Sequence, residues 1–105
     1  MVAWYRDVLG FEAGWRPDFP FGGAWLYRHG APFVHLVEVD SVRKNNDLQL
    51  EHVAFAAVGM ADFRAHLNTL KVKCEEVNVA GTDITQFNIW DPDGNHLHID
   101  FIGES

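Results

Sequence analysis

"DPDGNHLHIDF", residues 91–101, joins a turn signal to an alternating run, and the fold is decided by how it is read. Asp91-Pro92-Asp93-Gly94-Asn95 has the composition of a tight hairpin connection, with proline to fix φ and Gly94 and Asn95 to accept positive φ. From Asn95 onward polar and apolar side chains alternate with a period of two, which predicts a half-buried strand. His96, His98 and Asp100 then share one face, while Leu97, Ile99 and Phe101 share the other. The apolar face is expected to pack on a helix. The polar face is expected to meet solvent, a ligand or another polar surface, because titratable groups left dry and unpaired are strongly destabilising.

Working back from this strand, "ITQFNIW" (84–90), "KCEEVNV" (73–79) and "EHVAFAAV" (51–58) also read as strands. Between the last two, "MADFRAHLNTL" (60–70) sets Phe63, Leu67 and Leu70 at helical spacing. This half reads βαβββ. Further upstream, "VAWYRDVLG" (2–10) places Val2, Tyr5, Val8 and Leu9 on one helical face before a terminating Gly10. "EAGWRPDF" (12–19), "GAWLYRHG" (23–30) and "PFVHLVEV" (32–39) follow as three strands. The first half therefore reads αβββ, an imperfect repeat of the second that lacks its opening strand. The expected fold class is α+β: paired βαβββ modules forming a curled mixed sheet, in one domain over 1–105. Module one covers 1–40, a polar connector covers 41–49, and module two covers 50–105.

Composition narrows the function classes. With 48% hydrophobic residues, 105 residues can bury a core. Eight Lys and Arg against fifteen Asp and Glu give a formal charge of −7, which repels phosphate backbones and anionic bilayers and argues against nucleic-acid or membrane partners. No apolar run approaches the ~20 residues needed to span a bilayer. The single cysteine, Cys74, forms neither an internal disulfide nor a cysteine-based zinc site, and suggests a reducing, cytoplasmic setting.

The helix "AWYRDVLGF", a strand containing "HL", the restart "LEHVAF" and the hairpin "DPDGN" before the last strand together resemble the vicinal oxygen chelate superfamily. That group includes glyoxalases, extradiol dioxygenases, and fosfomycin- and bleomycin-resistance proteins. The resemblance spans essentially the whole chain. It implies modules whose sheets curl into a cup, with metal ligands on the first and last strands of each. His98 falls three residues after the asparagine of "DPDGN", where the family usually carries Glu. His52 in "LEHVAF" matches the ligand on the first strand of the second module, with the small Ala54 and Ala56 beyond it on the same face. His35 in "PFVHLVEV" lies at or near the last-strand position of the first module. The fourth family ligand belongs to the missing strand.

The resemblance thus implies His35, His52 and His98 as ligands for Zn²⁺, Ni²⁺, Mn²⁺ or Fe²⁺, all of which accept neutral imidazole. His29, in a turn signal, and His66, on a helix flank, are expected to be solvated. Of the four tryptophans, Trp15 and Trp25 are the candidates to line a ligand cup, with Asp100 as a polar contact. Two function classes follow. One is a glyoxalase- or dioxygenase-like protein in which a divalent metal polarises vicinal oxygens of a small molecule. The other is a metal-free protein that binds and sequesters an antibiotic, as the bleomycin-resistance proteins do. A homodimer is expected, because the family arrangement implied by the resemblance would put the missing strand beside the strand at 33–39 and its absence leaves that edge unpaired.

Overall fold

A computed structural model describes residues 1–40 and 52–104. The connector expected at 41–49 and Glu51 lie outside the described residues. The chain divides into two compact units, 1–46 and 47–105.

The first unit opens with α1 (Val2–Leu9), which buries Tyr5 and Val8. Gly10 ends it in the left-handed conformation, φ 73° and ψ 22°, where glycine carries no Cβ penalty. The Gly10 and Phe11 amides then satisfy the Arg6 and Tyr5 carbonyls. Three antiparallel strands follow, β1 (Glu12–Gly14), β2 (Gly23–Arg28) and β3 (Ala31–Val37), in the order β1-β2-β3. β1 is much shorter than the expected strand over 12–19. Pro17 has no N–H to offer a ladder, and its carbonyl instead accepts from Phe19 in a turn. Gly23 is required by close approach, since a Cβ there would lie 2.2 Å from the Leu36 carbonyl oxygen.

The second unit contains β4 (Val53–Ala57), α2 (Met60–Leu70), β5 (Glu75–Asn78), β6 (Ile84–Trp90) and β7 (His96–Ile102). The sheet order is β4-β7-β6-β5, with β4 parallel to β7 and the other pairs antiparallel. Among the described residues, two helices and seven strands match the α+β class, and β5-β6-β7 repeats the order of β1-β2-β3. Phe87, Ile89 and Phe101 are fully buried on one face of this sheet. Phe63 of α2 covers that face, with ring centroids 5.8 Å from both Phe87 and Phe101. Each such buried apolar side chain contributes roughly 1.5–3 kcal/mol. Leu67 is buried as expected, but Leu70 is 40% exposed because the helix ends there, at a left-handed Lys71.

α2 has no side-chain cap of its own at Gly59. The carboxylate of Glu104 substitutes, accepting from the Gly59 amide at 3.1 Å and the Met60 amide at 2.8 Å. It satisfies two of the helix's orphan N–H groups and places a negative charge at the positive end of its dipole. Glu104→Ala is expected to cost about 1 kcal/mol, a fall in Tm of roughly 4–8 °C for a domain of this size. Glu104→Gln should lose less. A thermal melt of the Ala variant within a degree of the parent would rule out this cap.

Candidate functional site

The register of the second sheet assembles a polar face from the period-two alternation of its strands. On β7 the face carries His96, His98 and Asp100, all half-buried, while the intervening Leu97, Ile99 and Phe101 are buried against the helix side. Across β6, Trp90 is opposite His96, Asn88 opposite His98 and Gln86 opposite Asp100. Across β4, Ala54 is opposite His98 and Ala56 opposite Asp100. Because Val53 pairs with Leu97, His52, one residue earlier, comes level with His96.

Three imidazoles meet on this face. The His52 and His98 rings stack with centroids 4.0 Å apart, His96 and His98 meet edge-on at 4.7 Å, and His52 and His96 at 5.7 Å. One donor nitrogen from each lies within 4.8 Å of the others. A tetrahedral ion with bonds of about 2.05 Å would hold its nitrogens about 3.3 Å apart, so the three donors would have to close by at most ~1.5 Å to hold one. The donor chemistry fits a first-row divalent metal.

His96 is held both by a ring contact and by a hydrogen bond. Its ring stacks on Trp90 at 5.0 Å and 9°, and Lys73 Nζ lies 5.5 Å from the other ring of that pair, the Trp90 indole. Its Nε2 is 2.9 Å from Asn88 Oδ1, and Asn88 Nδ2 donates to the Glu75 carbonyl at 3.0 Å. Further along β7, Asp100 Oδ1 is buried without a hydrogen-bond partner among the described residues.

The turn before β7 is built by Asp91, a buried carboxylate. Its Oδ1 accepts from the Asp93 and Asn95 amides and its Oδ2 from the Asn95 side chain. Gly94 takes φ 82°, whereas Asn95 has no positive φ, contrary to the expectation for that residue. Asn95 instead serves the turn as a donor to Asp91.

His35, expected as a ligand, lies in the first unit, on β3 opposite Trp25 of β2. The two rings stack at 3.9 Å. Trp15, 72% exposed, meets Trp25 edge-on, and Phe19 and Phe21 stack at 5.1 Å beside Arg16, so the unit presents an aromatic surface. Tyr27 Oη ties the end of β1 to this surface by donating to the Trp15 carbonyl. His29 and His66 are exposed. Burial, with Glu76 nearby, pushes the Cys74 thiol up to about 11, which leaves it a poor nucleophile at neutral pH.

The resemblance implied His52 and His98 as ligands, and the fold brings their rings together. The sequence reading missed two members of the group. His96 was assigned to the right face by alternation but to no role. Asn88 was not singled out, although "ITQFNIW" sets Gln86, Asn88 and Trp90 at alternate positions, a signal that the face of β6 is polar as well.

A family model, the Glyoxalase/Bleomycin resistance protein/Dioxygenase superfamily, matches residues 1–99. Among solved structures, the chain is similar to a glyoxylase/bleomycin resistance protein/dioxygenase domain from Frankia sp. EAN1pec, with TM-score 0.74 and 17% identity over 98% of this chain and 82% of that one. A glyoxalase family protein from Enterococcus faecalis gives TM-score 0.70 and 23% identity over 91% and 82%. The genomically encoded fosfomycin resistance protein FosX from Listeria monocytogenes gives 0.69 and 14% over 94% and 78%. No curated protein matches the chain.

Proposed function

The chain belongs to the Glyoxalase/Bleomycin resistance protein/Dioxygenase superfamily, and on that premise we propose that it acts on a small molecule with a divalent metal held by His52, His98 and His96. The observation that carries this reading is the meeting of three imidazole donors within 4.8 Å on one sheet face. Zn²⁺, Ni²⁺, Mn²⁺ and Fe²⁺ all suit such a set. Bound there, the ion would supply Lewis acidity that polarises vicinal oxygens of the substrate. Ala54 and Ala56 keep the neighbouring strand low beside the imidazoles. Asp100 Oδ1 is the proposed acceptor for a hydroxyl or amine of the ligand, which would relieve an unpaired buried oxygen that costs about 1–3 kcal/mol. Trp15 and Trp25 are proposed as an aromatic surface of the first unit that can take an aromatic or apolar ligand.

Calorimetric titration of the metal-stripped chain with Zn²⁺, Ni²⁺ and Mn²⁺ tests the proposal. At least one ion is expected to bind with Kd below ~100 μM, tighter than about −5.5 kcal/mol. If none does, the metal-free reading takes over: a net charge of −7 and the exposed aromatic surface around Trp15 favour capture of a cationic, ring-bearing molecule. The bleomycin-resistance part of the family name supports a protective role of that general kind.

A cytoplasmic homodimer belongs to the same proposal. Among the described residues β3 is paired only with β2, and Phe33, Val37 and Val39 are more than half exposed on or beside that edge strand. Unpaired backbone donors and acceptors with apolar neighbours favour a covering strand. Light scattering at high micromolar concentration should give twice the chain mass; a monomer there would refute the dimer.

A further inference from the structure

We infer that Asn88 locks His96 into the tautomer protonated at Nε2, so that His96 presents Nδ1, and only Nδ1, as a metal ligand. The inference rests on the metal reading of the site but begins from hydrogen bonds that hold without any ion. The Glu75 carbonyl can only accept, so the Asn88 atom facing it at 3.0 Å is the amide nitrogen. That leaves Oδ1 facing His96. A carboxamide oxygen also only accepts, so the imidazole nitrogen 2.9 Å away, Nε2, carries the proton. A neutral imidazole has one N–H and one lone pair, and the lone pair is then on Nδ1.

The arrangement resists the alternative. Turning the Asn88 amide over would set its oxygen against the Glu75 carbonyl, two acceptors face to face, on a residue that is only 8% exposed. Stacking on Trp90 fixes the plane of the His96 ring while Asn88 fixes its proton. This is the outer-shell role that carboxylates and carbonyls play for metal-binding histidines, here supplied by an amide from the adjacent strand. Asn88 is thus a positioning residue, acting on the metal through His96.

Long-range ¹H–¹⁵N correlation spectra of the imidazoles in the full ¹⁵N-labelled chain, recorded before and during addition of Zn²⁺, test this. In the metal-free chain His96 should show its proton on Nε2. Zinc should shift its Nδ1 resonance and leave the Nε2 proton in place. Asn88→Leu should let the His96 tautomers average and weaken zinc binding about 10–100-fold. Asn88→Asp, which loses the bond to Glu75 but still offers Nε2 only acceptors, should restore the single tautomer. A proton on Nδ1 in the parent chain overturns the inference, whether or not the Leu variant folds. Zinc bound with His96 Nδ1 unmoved overturns the coordination assigned to His96 while leaving the metal reading intact. A parent chain that binds no zinc overturns both.

Discussion

His98→Ala is expected to weaken binding of the tightest of Zn²⁺, Ni²⁺ and Mn²⁺ by at least about a hundredfold, close to 2.8 kcal/mol. His98 is the middle of the group, in ring contact with both His52 and His96. Its removal takes away one donor and leaves the other two rings without the neighbour against which they are arranged. The strand itself should survive, because the face lost is the polar one, while Leu97, Ile99 and Phe101 keep β7 packed. His66→Ala, on the exposed flank of α2, is the control and should bind as the parent does within about twofold. Calorimetry on metal-stripped protein decides the matter. Equal affinities for His98→Ala and the parent would place the metal elsewhere.

Asp91→Ala should be among the most destabilising single substitutions in the chain, at about 2–4 kcal/mol. The carboxylate is 6% exposed and accepts three hydrogen bonds, two from the backbone amides of Asp93 and Asn95 at 3.0 and 2.9 Å. Alanine would leave those amides without an acceptor and release the Asn95 side chain that holds Oδ2 at 2.8 Å. The backbone bonds from Asp91 N to the Asn95 carbonyl and from Gly94 N to the Asp91 carbonyl would remain, but would no longer be supported from the centre of the turn. For a domain of this size the loss corresponds to a fall in Tm of roughly 10–25 °C. Asp91→Asn keeps one acceptor oxygen and should lose about half as much. Urea denaturation showing less than ~1 kcal/mol for the Ala variant would mean that backbone bonds alone hold the turn. Since the turn sets the register of β7 on β6, the variant that survives should also bind metal less tightly.

Much of this site was legible in residues 91–101. Strand alternation is a local property of the backbone, so the common face of His96, His98 and Asp100 needed only the pleat. Gly94 was readable for the same reason: one residue's φ decides it. Helix α1 and its end at Gly10 also followed from spacing and a terminal glycine within ten residues. The short β1 could have been foreseen from Pro17, whose missing N–H is a covalent fact.

What the sequence left open depends on which residues oppose which across strands that are distant in the chain. The family resemblance pointed to His98, three residues after Asn95, and nothing local distinguished His96 from a solvated strand histidine. The parallel register of β4 on β7 brings His52 level with His96 and puts His98 beside both, and the antiparallel register of β6 sets Asn88 and Trp90 against the same pair. A slip of one residue in either pairing would move every one of these side chains to the other face. The cap on α2 is of the same kind, a carboxylate more than forty residues away from the amides it accepts. Alternation along one strand determined which side chains face together; only the pairing of strands, fixed by burial of Phe87, Ile89 and Phe101 on the opposite face, decided that three histidines and an asparagine meet there.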